Sequence, residues 1–480
     1  MKKLNYLFFT VCFFAYCFSL SANEVIKFTW KNDDYYNKTF SVVASSGKTY
    51  TIDWGDDSVI QTITGTGEWQ PINHKYDHIN EYQVVVEGDS VDCLFTNFIC
   101  SNSKLTTLDI KACKALRTLY CQNNLLTVLD LSENTELFDL KCSNNLLNSI
   151  SLCENGNLEV LNCDNNLLTE LDLNTNITLR NLSCNNNQLT TLDLTTNTLL
   201  WNLSCANNRL TNLNQINTTL NFLECSNNQL TNINTNMYTK LISLGCSSNQ
   251  LTTLDVSANS ALEHLFCFDN QLATLDISAN WALGELDCSN NRLQLSDLYN
   301  ASVMLVKHPF DVLFVHLGTQ LLAPQKLIVN NPVDYSTQKE FGSIATVFDV
   351  LKNGLPPHQN DYTILDGIIT FYDIAYYTVT MTNSAIKSFG TAKVIASFEV
   401  GNTGIIDVTQ QMPAFTIYPN PTSNILYIKT TNEVIPEVKL YSIEGKQLLY
   451  LRSTEIDMSS YPAGIYFVQI EGKTMKLIKM

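Results

Sequence analysis

Leu116-x-x-Leu119-x-Cys121-x-x-Asn124-x-Leu126-x-x-Leu129-Asp130-Leu131-Ser132-x-Asn134 is the stretch whose reading decides the fold. The cysteines give its period. Cys100, Cys121, Cys142, Cys163, Cys184, Cys205, Cys225, Cys246, Cys267 and Cys288 lie 21 residues apart, with one step of 20 between Cys205 and Cys225. Side chains alternate along an extended segment, so Leu119 and Cys121 point inward while Thr118, Tyr120 and Gln122 point outward. No unit this short can bury its own leucines, but a stack of copies buries them all.

A fixed period of about 20–29 residues with L-x-x-L-x-L-x-x-N spacing is the leucine-rich-repeat signature. Residues from about Phe95 to Leu295 are therefore expected to form one solenoid of about ten rungs. Its parallel strands, ~4.8 Å apart, make a ribbon roughly 45 Å long. Asn124 recurs as Asn145, Asn166, Asn187, Asn208, Asn228, Asn249, Asn270 and Asn291. A side-chain amide both donates and accepts, so this column predicts a hydrogen-bonded ladder inside the bend. Ser103 in that slot, and Phe95 and Phe98 in leucine slots, mark an atypical end rung.

The cysteine column admits a redox or metal reading and a packing reading. It lacks C-x-x-C pairs and nearby histidines, so buried free thiols acting as small soft core residues are expected. Cys93 and Cys113 fall outside the column, at nearly equivalent places on successive turns, and are the candidates for a capping disulfide. Cys153 occupies a serine slot with no evident partner. The repeats resemble bacterial leucine-rich-repeat surface proteins of the internalin type, especially those with a cysteine ladder. They also resemble repeats of secreted Bacteroidetes proteins, as in Cys246-x-x-Asn249-x-Leu251-x-x-Leu254-Asp255-Val256-Ser257.

The fold class read here is multidomain and mainly β, with sandwich domains flanking the solenoid. Lys2 and Lys3, then the apolar run Leu7 to Leu20, then Ser19, Ser21 and Ala22 give the order of a secretory signal peptide over 1–22. The run is short for a span, which needs about 20 residues, and neither Cys12 nor Cys17 follows a lipoprotein-type small residue. Residues 23–90 are strand-like. Tyr50-x-Ile52-Asp53-Trp54-Gly55-Asp56-Asp57, then His74-x-Tyr76, then Tyr82-x-Val84 resemble a PKD-type β-sandwich, with Asp57 in place of the usual second glycine. Asp53, Asp56 and Asp57 suit calcium or a tight turn, and the turn is favoured because Asp bonds its own backbone. Over 296–408 the period stops and alternation returns at Tyr377–Met381 and Lys393–Val400, with Asp366-Gly367 as a tight hairpin. This stretch resembles an immunoglobulin-like β-domain that would cap the solenoid's open end. Over 413–480, Tyr418-Pro419-Asn420-Pro421, Val438 to Lys446, Tyr461 to Val468 and Lys473 to Met480 read as a small β-sandwich. They resemble the type A C-terminal sorting domain of the Bacteroidetes type IX secretion system. The resemblance implies recognition by that machinery and delivery to the medium or the outer surface.

With 46 acidic against 29 basic residues the net charge is −17, which opposes nucleic acid and anionic lipid as partners. His74, His78, His264, His308, His316 and His358 belong to no catalytic motif, and Asp109, Asp130, Asp172, Asp193, Asp255 and Asp276 repeat in one turn slot. No enzymatic activity, metal or cofactor is expected. Most outward strand positions carry Asn, Ser or Thr. The exceptions cluster late: Phe222 and Glu224, then small Ser243, Gly245 and Ser247, then His264, Phe266 and Phe268, then Glu285 and Asp287. Outward aromatics are costly to leave wet and favoured as anchors, so these are the candidate ligand contacts, unless the flanking domain covers the rings. His264 and Glu285 are expected as neighbours. Tyr120, Asp139 and Lys141 form a second, smaller patch. An exported adhesion protein with a protein ligand is the leading reading. Glycan capture and an architectural envelope or biofilm role are the alternatives.

Overall fold

Each repeat spends three residues on a strand and the rest on turns, and a computed structural model shows how the pieces lock. It describes residues 23–32, 38–213, 219–306, 314–401, 415–418, 425–430, 437–442, 446–470 and 473–479. The leader expected at 1–22, His308, and Pro419 and Pro421 of the C-terminal motif lie outside them. The chain divides into two units, residues 1–402 and 403–480.

In the first unit β1 (Val25–Asn32), β2 (Lys38–Ala44), β3 (Thr49–Asp53), β4 (Gln61–Thr64), β5 (Gln70–His74) and β6 (Asn80–Gly88) precede the repeats. The first coil supplies β7 (Phe95–Ile99) and β8 (Leu105–Asp109). The ribbon continues as β9 (Thr118–Tyr120), β10 (Asp139–Lys141), β11 (Val160–Asn162), β12 (Asn181–Ser183), β13 (Asn202–Ser204), β14 (Phe222–Glu224), β15 (Ser243–Gly245), β16 (His264–Phe266) and β17 (Glu285–Asp287). These pair parallel and in register, Leu119 beside Leu140 and Leu265 beside Leu286. The leucines and all ten column cysteines are buried.

Two asparagine columns stitch the coils. In the expected one, Asn145 donates to the carbonyls of Cys121 and Cys142, both at 3.0 Å, while its Oδ1 accepts the Leu126 N–H at 3.0 Å. The residue before each ladder Asn adopts φ between 52° and 59°, and Asn fills most of these sites because it tolerates the left-handed region. That is the reason for the Asn-Asn doublets. A second column, Asn134, Asn155, Asn176, Asn197, Asn259 and Asn280, is at most 4 % exposed and runs along the opposite bend. Asn176 there donates to Leu152 O (3.2 Å) and Asn155 O (2.8 Å).

The ribbon overruns both expected boundaries. At the N-terminal end β7 pairs antiparallel with β2, and β8 pairs antiparallel with β1, so the first coil belongs to both sheets of the preceding sandwich and no break falls at residue 91. The core between these sheets is aromatic: Trp30 stacks on Trp54, and Phe28 meets Phe40 and Phe98. At the other end a helix, α1 (Leu295–Val306), buries Leu295, Leu298, Ala301 and Leu305 on the last coil. The ribbon then gains β18 (Phe314–His316) beside β17. Gln320 stands in for the next ladder Asn, accepting from Asn291 N and donating to Cys288 O. Residue 295 therefore opens the cap and does not end the solenoid, and the expected all-β stretch from 296 begins with a helix.

Beyond it, β19 (Thr319–Leu321) and β20 (Gln325–Ile328) run parallel to the strand 393–401, which pairs antiparallel with 375–382, and that with 347–352. A second sheet of strands 332–334, 362–365 and 368–371 meets it through Phe371, which contacts Tyr377 and Phe398. Asp366 (φ 53°) and Gly367 (φ 80°) form the two-residue hairpin, the handedness such a turn needs. The second unit has a three-stranded sheet (415–418, 425–430, 455–457) and a four-stranded sheet (437–442, 447–452, 464–470, 473–479). Leu426, Leu440, Ile456 and Val468 are in its core.

The candidate pair Cys93 and Cys113 is not bridged, and both are buried free thiols. Cys113 stands in the slot that Asn134 and Asn155 fill on later coils, so it points into the core and its Sγ donates to Val25 O at 3.4 Å. Between the two coils lies the carboxylate of Glu24, which accepts the N–H groups of Phe95 and Ala115. That carboxylate keeps the two chain segments tied without a covalent link.

Candidate ligand-binding face

Strand alternation fixes which side chains reach the open face of the ribbon, and register fixes which are neighbours. One row reads Asn202, Phe222, Ser243, His264, Glu285, Phe314; the next reads Ser204, Glu224, Gly245, Phe266, Asp287, His316. The late-rung residues singled out from the sequence are thus brought together on four adjacent strands. Phe268 follows one alternation further along, beside Ser247.

The acids and histidines pair across strands. His264 Nδ1 is 2.9 Å from Glu285 Oε2, as expected, and His316 Nδ1 is 3.0 Å from Asp287 Oδ2. Asp287 also accepts from the Ser289 N–H and hydroxyl. Glu224 differs: Oε1 accepts the Ser226 N–H at 2.9 Å, and the carboxylate lies down across Gly245, where a Cβ would collide with Oε2. Burial pushes the Cys205 and Cys246 thiols up, and the Glu224 charge above the ribbon pushes them further. Those thiols are held in the protonated form at neutral pH, which makes them poor nucleophiles.

Several residues of this face were missed from the sequence. Trp201 meets Phe222 edge-on, centroids 5.8 Å apart, and both are more than a third exposed. Phe314 and His316 extend the two rows, although β18 comes 29 residues after its partner and so off the period. The flanking domain meets this last strand: Phe389 donates its N–H to Val315 O and its ring meets Phe314 at 5.7 Å. Phe266 and Phe268, two strands away, stay half-buried.

In the smaller patch the side chains contact one another. Tyr120 donates its hydroxyl to Asp139, and the Lys141 ammonium sits 4.2 Å above the Tyr120 ring. In the N-terminal sandwich the turn carboxylates serve the turn: Asp53 accepts Gly55 N, and Asp56 accepts from Ser58 and from His74 at 2.7 Å. Partial burial raises the Asp56 carboxyl, but those hydrogen bonds from Ser58 and His74 outweigh it and hold it below the usual range.

Residues 416–480 match the family model described as "Secretion system C-terminal sorting domain". The C-terminal unit is a secretion-system sorting domain. The sorting domain marks the chain for type IX export, to the outer surface or the medium of a Bacteroidetes cell. No helix among the described residues is long and apolar enough to cross a membrane. No curated protein matches the chain. Among solved structures, the functional domain of InlJ from Listeria monocytogenes, described as including a cysteine ladder, is 22% identical over 64% of this chain and 90% of its own, with a TM-score of 0.26. An internalin (inlF) from Listeria monocytogenes is 21% identical over 45% of this chain and 82% of its own, TM-score 0.34. YopM from Yersinia enterocolitica is 23% identical over 37% and 43%, TM-score 0.32.

Proposed function

We propose that this exported leucine-rich-repeat protein is a binding protein, not an enzyme, and that the late half of its ribbon engages an extracellular protein. The observation that carries the reading is the group of half-exposed aromatics, Trp201, Phe222, Phe266 and Phe268, on the late rungs of a face whose earlier rungs carry mostly polar residues. Exposed rings of this kind are favoured anchors, because a partner that covers them gains apolar burial at little entropic cost. The acids beside them give the rim a sign that selects partners. Adhesion to a host or neighbouring cell is the role that fits an outer-surface address.

The test is a surface-immobilised mature chain challenged with a panel of purified extracellular proteins and, beside it, a glycan array. A protein partner is expected whose affinity falls about tenfold or more when Phe266→Ala and Phe268→Ala are combined. Unchanged affinity in that double variant, or binding confined to glycans, would sink the proposal.

A further inference from the structure

We infer that the face reads one basic side chain of its partner, an arginine, in a trough above β15; this rests on the protein-binding role proposed above. Rung eight presents only small groups outward, Ser243, Gly245 and Ser247, between a wall carrying Phe222 and Glu224 and a wall carrying His264, Phe266 and Phe268. Strands are ~4.8 Å apart, so the two walls stand roughly 10 Å from each other. That width admits one unbranched side chain or a guanidinium plane between the rings.

Charge identifies the occupant. Of the acids on this stretch of ribbon, Glu285 and Asp287 each have a histidine partner. Glu224 has none among the described residues. Its carboxylate receives a single backbone N–H and forms the floor of the trough over Gly245. A Cβ at 245 would push that carboxylate aside. Beside it Ser247 is only 1 % exposed, yet its hydroxyl has no hydrogen-bond partner among the described residues. An anionic floor, aromatic walls and an unmet hydroxyl together suit a guanidinium, which is planar, offers five donors and stacks on rings. A carboxylate or phosphate would meet Glu224 head-on. A neutral aliphatic group would leave the floor's charge desolvated and unpaired.

The experiment uses the full mature chain at physiological salt and three capped tripeptides, glycyl-X-glycine with arginine, lysine or citrulline at X. Binding is followed by saturation-transfer NMR at millimolar peptide. The arginine peptide is expected to bind, the lysine peptide more weakly, and the isosteric but neutral citrulline peptide not at all. E224Q is expected to weaken arginine binding about tenfold or more, the worth of a charged hydrogen bond. G245A should weaken it too, by lifting the carboxylate. E170Q, an exposed acid away from the trough, should change nothing. Arginine and citrulline binding alike, no arginine binding, or an unaffected E224Q would each overturn the inference. Capture of the protein partner lost in the Phe266→Ala and Phe268→Ala variant but kept in E224Q would leave the face standing and remove the arginine slot alone.

Discussion

The two asparagine columns look alike in sequence and should behave differently when cut to alanine. Asn187 donates to Cys163 O and Cys184 O, both at 3.1 Å, and its Oδ1 accepts the buried Leu168 N–H at 3.1 Å. Its amide also reaches Asn185 O at 3.2 Å, so two N–H groups are shared among three carbonyls. Asn187→Ala removes what those two N–H groups donate, about 1 kcal/mol each, and orphans the Leu168 donor at about 1–3 kcal/mol, for a loss of roughly 3–5 kcal/mol. Asn176 also donates two bonds, but its own Oδ1 is buried with no hydrogen-bond partner. Asn176→Ala therefore gives up about 2 kcal/mol of donated bonds and relieves a buried acceptor that costs about 1–3 kcal/mol. The vacated volume is the same in both variants, so their difference reads chiefly the oxygen: about 2–6 kcal/mol in favour of Asn176→Ala. Urea titration of the mature chain by far-UV circular dichroism reads that gap from the midpoints. Amide exchange adds a local readout, because only Asn187→Ala should expose Leu168 N–H. Equal losses in the two variants would mean that the second column's oxygens have partners, and the reasoning would fail.

Four shorter predictions accompany it. Iodoacetamide on the native mature chain should add one label, at the exposed Cys153, because burial pushes the column thiols up, Cys142 to about 12; a second fast adduct by mass spectrometry would refute this. Glu24→Ala should cost about 1–3 kcal/mol by orphaning the buried Phe95 N–H, measured by urea titration. Burial raises the Glu24 carboxyl in the folded chain, so its contribution is full below the unfolded pKa and is lost as pH rises through the folded one; the penalty of the alanine variant should therefore grow on acidification. Gly367→Ala should lower the melting temperature, since φ is +80° and a Cβ would stand 2.7 Å from Tyr335 O.

The period made the ribbon legible because every coil repeats the same burial problem. Leu, Cys and Asn columns are the repeated answer. Pairings without a period left no such mark. β1 meets β8 across some 80 residues, and β2 meets β7 across about 55, so the fusion of the sandwich to the first coil was invisible and a domain boundary was placed through it. Helix α1 was legible in the spacing of Leu295, Leu298, Ala301 and Leu305, but the stretch was read for alternation. Asn134 and its repeats were seen and given no role, since an asparagine in a turn explains itself locally; the bonds to Ile110 O and Cys113 O come from the coil before. Trp201 precedes its strand by one residue and escaped a reading confined to alternate strand positions.

What remains on the open face is defined by subtraction. Inward positions are fixed by packing, and the first asparagine column is satisfied from its start, where Asn124 Oδ1 takes the Ser103 and Leu105 N–H groups, to its end at Gln320. Groups whose needs are met inside the scaffold have nothing to offer a ligand. Tyr120 bonds Asp139 and carries the Lys141 ammonium over its ring, and two of the late acids hold histidines. On the late rungs, Glu224, Ser247 and the half-exposed rings of Phe222, Phe266 and Phe268 are what the scaffold leaves unspent. A glycine at 245 leaves the space in which the Glu224 carboxylate lies across the ribbon. If alanine at 245 changed neither the set of the Glu224 carboxylate nor any binding, that space would be incidental, and the face would carry rings alone.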